Sequence, residues 1–294
     1  MFIIRLRKIF FTISALAIVA SVFAISFYGF NFGIDFKGGS LIEASYENTR
    51  PDISALTTSL EKVIQGAHVQ LAGEKGVFVR TKDLTEAEHT AVLGALTIDK
   101  NVATEERFNS IGPVIGKELR SKAWMAITAV ILGIMLFIAF AFRKVSQPIS
   151  SWKYGFVTTI SLVHDIIIPT GIFVYLGKEV NSLFVVALLS ILGISVHDKI
   201  VVFDRVRENL RLRLYKDFSE TVGKSLEQTF ARSINTSLTI LAVLFALFYF
   251  GPETTRDFSL LLFIGVAIGT YSSIFFGAPL LVWFEKLQLG KGNK

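Results

Sequence analysis

The chain has 294 residues, 52% of them hydrophobic, with a net charge of +6 and no cysteine. Without cysteine there are no disulfides, thiolate metal sites or thiol chemistry. The apolar residues gather into six long runs, at 10–29, 123–142, 154–177, 183–203, 233–250 and 258–284. About 20 helical residues cross a ~30 Å hydrocarbon core, and each run is of that order. None alternates with period two, so the runs read as helices rather than barrel strands.

The first run follows Arg5, Arg7 and Lys8. It is too long for a signal peptide and has no small-x-small cleavage site after it, so it reads as an uncleaved anchor. Residues 1–30 thus form an N-terminal end and first span. The other basic clusters are Arg143, Lys144 and Lys153; Arg205, Arg207, Arg211, Arg213 and Lys216; and Lys286, Lys291 and Lys294. The positive-inside rule places all of them, and both termini, in the cytoplasm of a multi-pass cell-membrane protein. The positive charge therefore reads as topology and not as nucleic-acid binding.

Residues 31–121 fall outside the membrane and carry their own pattern. Residues 39–47 alternate like a strand, and Pro51-Asp52 opens a helix to about Ile64, with Ile53, Leu56, Leu60 and Val63 on one face. Val69–Leu71 and Gly76–Arg80 read as a hairpin around Gly73–Gly76. Thr85 with Glu88 is a capping-box pattern opening a helix to about Leu96, and Val102–Phe108 is a last strand. The order β-α-β-β-α-β is the ferredoxin-like split unit. His68 and His89 stand isolated in it and read as surface residues, so the domain is a handle or binding platform. Residues 122–294 then supply spans two to six, with a basic amphipathic loop at 204–231 suited to lipid headgroups or a docking partner.

Ionisable residues interrupt these spans. His164-Asp165 lies in the third, His197-Asp198-Lys199 in the fourth, and Arg232 opens the fifth. A charge near the bilayer interior costs about 2.5–3.5 kcal/mol on insertion scales, so it has to pair or move something. Such an acid can neutralise itself or fix helix register. Charges converging on adjacent spans also make a proton relay: Asp198, Arg232, His197, Asp165 and His164 are its candidates. A deprotonated Asp198 would pair with Arg232, and protonation would release the arginine. Ser161 lies near His164 and Asp165, and Ser195 one turn before Asp198. Arg232, Asn235, Thr236 and Thr239 make one polar stripe on the fifth helix, expected to face the bundle interior. Gly265, Gly269, Ser273 and Gly277 recur every fourth residue in the sixth span, a pattern for close helix packing. No nucleophile–base pair, metal cluster or phosphate loop marks an enzyme, and no cofactor is implied.

Several runs closely resemble the SecF family of protein-export membrane subunits, in the resistance-nodulation-division superfamily. They are residues 30–39 (FNFGIDFKGG), 108–113 (FNSIGP), His164-Asp165, 201–209 (VVFDRVREN) and 269–274 (GTYSSI). The resemblance implies six membrane helices with one extracytoplasmic ferredoxin-like α+β domain between helices one and two. It implies a SecD partner, association with the SecYEG channel, and use of the proton-motive force on unfolded preprotein after SecA has driven early translocation. The family's intramembrane aspartate falls on Asp198 and its arginine on Arg232. Asp204 and Arg205 belong to its signature, and Asp35, Gly38 and Gly39 to its entry motif, structural with a possible hinge role. His197 and Lys199 depart from the family's usual Asn and Thr or Ser, so Lys199 could compete with Arg232 for Asp198. A passive scaffold of the channel and half of a small-molecule exporter are the alternatives.

Overall fold

In the computed structural model the described residues are 2–98, 101–143 and 149–292, with side chains described to Gln288. Lys144 and Lys294 of the basic clusters lie outside them. The elements run α1 (Phe2–Arg5), α2 (Arg7–Tyr28), β1 (Asn31–Phe32), α3 (Ile34–Lys37), β2 (Gly39–Tyr46), α4 (Ile53–Glu61), β3 (His68–Ala72), β4 (Gly76–Thr81), α5 (Glu86–Leu96) and β5 (Ala103–Ile111). They continue as α6 (Pro113–Ala141), α7 (Ser151–Tyr175), β6 (Glu179–Val180), α8 (Ser182–Arg211), α9 (Phe218–Phe250), α10 (Glu253–Ser272), a π-helical turn Ser273–Gly277, and α11 (Ala278–Gly292). The chain divides into an α+β unit, 32–124 with 179–182, and a helical unit made of the rest.

The α+β unit has an antiparallel sheet in the order β3-β4-β2-β5. This is the expected β-α-β-β-α-β unit. Alternation along β2 turns Ile42, Ala44 and Tyr46 into a core with Leu56, Leu60, Val77, Val79, Val92 and Leu96. The Tyr46 hydroxyl donates to the Leu96 carbonyl at 2.9 Å. Burial pushes its pKa up to about 12 against the opposing pull of Arg50. The capping box forms: Thr85 accepts from the Glu88 amide while the Glu88 carboxylate accepts from the Thr85 amide. His89 corrects the sequence reading. Its ring stacks on Phe108 at 3.9 Å and bonds Glu105 at 2.8 Å, because β5 crosses directly beside its helix.

Among the described residues six helices are long and apolar enough to span a membrane: α2, α6, α7, α8, α9, and α10 continued through the π turn into α11. Helix α6 begins ten residues before the apolar run expected at 123, and α9 fifteen before that expected at 233. Helix α2 buries only the small residues Ser14, Ser21 and Ala24 and shows Leu16, Val19 and Phe23 outward. A Cβ on Gly171 of α7 would overlap Ser21, so glycine is what lets α2 and α7 touch. The basic stretch 204–231 is no separate surface helix. Helix α8 continues to Arg211 and α9 starts at Phe218, with a turn at Arg213 in the left-handed region. The two ends pack as a helical hairpin because Val206, Val222 and Leu226 are apolar and buried, and Asn209 donates to Ser225 at 2.8 Å.

Candidate functional site

Two consecutive residues on α8 set up the site. Successive helical side chains point about 100° apart, so Asp198 and Lys199 address different neighbours. Lys199 turns toward α7 and α10, and its ammonium lies 2.5 Å from the Asp165 carboxylate. It also reaches Ser195 Oγ at 2.6 Å and Ser272 Oγ at 3.2 Å. Ser195 donates to the same Asp165 oxygen that receives the ammonium. The other Asp165 oxygen sits 2.9 Å from His164 Nδ1. Lys199 and Asp165 are both 0% exposed. A lysine and a carboxylate this deep persist only when their hydrogen-bonding positions are filled, and here Ser195 of α8 and Ser272 of α10 fill them. Ser161 extends the network to Ser272 at 3.4 Å.

The rest of the pocket is shaped by what is absent. Gly269 faces Ser195, where a Cβ would come within 3.1 Å of the hydroxyl, and a Cβ on Gly265 would overlap Ile191. Gly277 faces Ser161 on α7. Ser273 donates back to the Gly269 carbonyl at 2.8 Å. The four-residue stripe therefore packs α10 and the π turn against α8 and α7. The His164 ring stacks on Phe276, centroids 4.8 Å apart, and its Nε2 is buried with no hydrogen-bond partner among the described residues.

Asp198 has a different environment. It is buried, but its carboxylate receives only a 3.5 Å contact from Ser237 of α9, whose hydroxyl is itself bonded to Thr270 at 2.7 Å. The expected ion pair with Arg232 is not formed. Arg232 is exposed, as are Asn235, Thr236 and Thr239, while Ser233 and Ser237, one residue further along α9, turn inward. The polar stripe is thus on the open side of the helix, not in the interior of this bundle. His197 is also exposed, on the open face of α8. The acid that pairs with a cation is Asp165, and its cation is Lys199, not Arg232. The signal in the sequence was spacing: Ser195 and Lys199 lie four apart on α8, a face that excludes Asp198. Toward the C-terminal end of α8, Asp204 pairs with Arg207, and Arg205 with Glu208 and Gln228. Among the described residues no cluster of His, Asp and Glu could hold a metal.

Comparisons with known proteins fit this layout. A family model for the SecD/SecF C-terminal region, described as protein export membrane protein, matches residues 94–287, and one for the SecD/SecF GG motif matches 23–49. The protein translocase subunit SecF of Thermobaculum terrenum is 39% identical, covering 96% of this chain and 93% of its own. That of Haemophilus influenzae is 36% identical, covering 92% and 82%. The crystal structure of the translocon-associated membrane protein SecDF from Thermus thermophilus superposes with a TM-score of 0.85 at 30% identity, over 96% of this chain. The present chain spans 38% of that longer SecDF chain. A second SecDF structure, in a super-membrane-facing form, gives 0.67 over 98%. By family model and by identity over nearly its whole length, this multi-pass membrane chain belongs to the SecF family of protein translocase subunits.

Proposed function

We propose that the chain is the SecF half of a proton-driven export motor, working with a SecD-type partner beside the SecYEG channel to draw unfolded preprotein across the membrane. The observation that carries this reading is the contrast between two buried acids one helix apart. Asp165 is matched by an ammonium, an imidazole and a serine, so its charge is fixed in place. Asp198 is buried with one long hydroxyl contact and no cation at hydrogen-bond distance among the described residues. A carboxylate so poorly satisfied is the one that gains by taking up a proton.

Arg232 enters from the open face. A guanidinium with three polar neighbours on one stripe is costly against lipid, and a second polypeptide is what that stripe suits. With the partner in place, loss of the Asp198 charge shifts the balance among α8, α9 and that partner. One elementary charge moved through the field is worth about 2.3 kcal/mol per 100 mV, enough to tip two packings of similar energy. The α+β domain, placed outside by the positive-inside rule, would then act as the moving platform.

The test is export into vesicles holding this chain, a SecD-type partner and the channel. Wild type and Asp198→Asn are compared with and without an imposed proton gradient. The motor reading expects the gradient to speed late translocation in wild type alone, with the variant still assembling. An equal response in both would leave Asp198 a packing residue and the chain a scaffold.

A further inference from the structure

The α+β unit contains four residues that lie far from it in sequence, Glu179–Ser182, and the last of them is the first residue of α8. Among the interactions that hold this segment, three are specific to its backbone and its acid. The Asp35 carboxylate accepts from the Ser182 backbone amide at 2.6 Å. The Gly33 amide donates to the Val180 carbonyl at 3.0 Å. Arg80, on the sheet strand β4, pairs with Glu179 and holds Gln70 on β3 at 2.8 Å. Gly33 leaves room for the Glu179 carboxylate, which a Cβ there would push aside.

The ends of the domain are equally tight. Gly38 and Gly39 have φ of +80° and +126°, in the region that favours glycine. A Cβ on Gly38 would lie 2.7 Å from Pro113 Cα, and one on Gly116 2.8 Å from the Gly38 nitrogen. The entry motif is therefore a packed junction onto the first turn of α6, and loose hinge motion there would break close backbone contacts. Helix α8 runs unbroken from Ser182 past Asp198 to Arg211. At about 1.5 Å per residue, roughly 24 Å of regular helix joins the Asp35 contact to Asp198.

We infer that Asp35 and Arg80 are positioning residues that fasten the α+β domain to the start of α8, so that a shift of α8 at Asp198 is delivered to the domain as a push on its sheet. Asp35 supplies a charge-assisted acceptor to a helix-start amide, the end of the dipole where negative charge is favoured. Arg80 supplies the second point, and two points on different elements, α3 and β4, transmit rotation as well as translation. This inference rests on the proton-coupled reading of Asp198.

Because the chain has no cysteine, labels can be placed cleanly at Lys75→Cys on the β3–β4 turn and Phe250→Cys at the end of α9. The labelled chain is reconstituted with its SecD-type partner and the channel, and three quantities are read: inter-label distance, proton flux and export. Wild type is expected to change distance under a gradient. Asp35→Ala is expected to keep proton flux, lose the distance change, and lose about tenfold of the gradient-stimulated export, the factor given by about 1.4 kcal/mol. Asp35→Asn keeps an acceptor for the Ser182 amide and is expected to restore most of both. Asp35→Ala moving like wild type overturns the fastening, and so does Asp35→Ala losing flux together with motion. A wild type whose distance ignores the gradient overturns the proton-coupled reading and the fastening with it. Asp198→Asn without effect on flux, in a wild type that still moves, overturns the former alone.

Discussion

Two polar regions in the same helical bundle are built on opposite terms. Between α7, α8 and α10, a lysine, an aspartate, a histidine and three serines are enclosed and satisfy one another almost completely. On α9, an arginine, an asparagine and two threonines are presented outward, and His197 of α8 is exposed as well. The closed cluster is finished within one chain. The open stripe is chemically unfinished, and a guanidinium in a span is not left to lipid without cost. Position in a polar pattern therefore does not tell which residues a chain uses for itself and which it offers to a neighbour.

The largest expected effect separates the two regions directly. Lys199→Met leaves Asp165 buried and unpaired, which costs on the order of 3–5 kcal/mol. The variant chain alone, in detergent, is expected to melt far below wild type, and Lys199→Met with Asp165→Asn to recover much of the loss. Arg232 is exposed and makes no hydrogen bond or ion pair among the described residues, so isolated Arg232→Met should melt within about 0.5 kcal/mol of wild type. Its loss should appear only in the complex, as missing gradient-stimulated export. An isolated Arg232→Met chain as damaged as Lys199→Met would mean the stripe is internal after all.

Glycines give a smaller and sharper version of the same contrast. Gly265 lies against Ile191 inside the closed region, and Gly193 has open space on the face of α8 that carries His197. Gly265→Ala is an overpacking change and should cost about 1–3 kcal/mol in the isolated chain. Gly193→Ala should leave the isolated chain unharmed but weaken co-purification with a SecD-type partner, if a helix packs closely there. Unchanged co-purification would remove α8 from the docking face.

Much of this was legible in the chain itself, and the misses share one cause. The six spans, the strand order of the α+β unit and the Thr85–Glu88 cap follow from periodicity and local hydrogen bonding, which sequence carries. The pairing of Lys199 with Asp165 does not, because it depends on which of two faces of α8 meets α7. The same ambiguity misplaced the α9 stripe: Arg232 and Ser233 are neighbours in sequence, and only helix rotation sends one out and the other in. The hairpin of α8 and α9 is masked in the sequence because Arg205, Arg207, Arg211, Arg213 and Lys216 crowd the apolar positions, Val206, Phe218, Val222 and Leu226, that it buries. The Asp35–Ser182 contact joins positions 147 apart, beyond any local pattern.

The smallest expected effect lies in the α+β unit, which serves as the region neither polar cluster should feel. Lys82 chiefly, with the Thr85 amide and hydroxyl, holds the Glu88 carboxyl down at about 2. The folded domain thus binds that proton more weakly than the unfolded chain does. Its contribution to stability is present above the usual carboxylate pKa of 4.5 and fades as pH falls from there toward 2. Tyr46 works with the opposite sign: its raised pKa makes the folded state hold a proton the unfolded state releases, so stability fades as pH climbs from 10 toward 12. Thr85→Ala removes the cap and should lower the domain's urea stability by about 1 kcal/mol at neutral pH. A fluorophore at Lys75→Cys reports it, and the difference from wild type should shrink near pH 3 as Glu88 is protonated in the unfolded chain. Proton flux through the reconstituted complex should not change, since among the described residues the cap makes no hydrogen bond or ion pair with Asp35 or Arg80. A Thr85→Ala chain with altered flux would show that the platform feeds back on the membrane acids, and the two polar regions would then have to be treated as one system with the sheet.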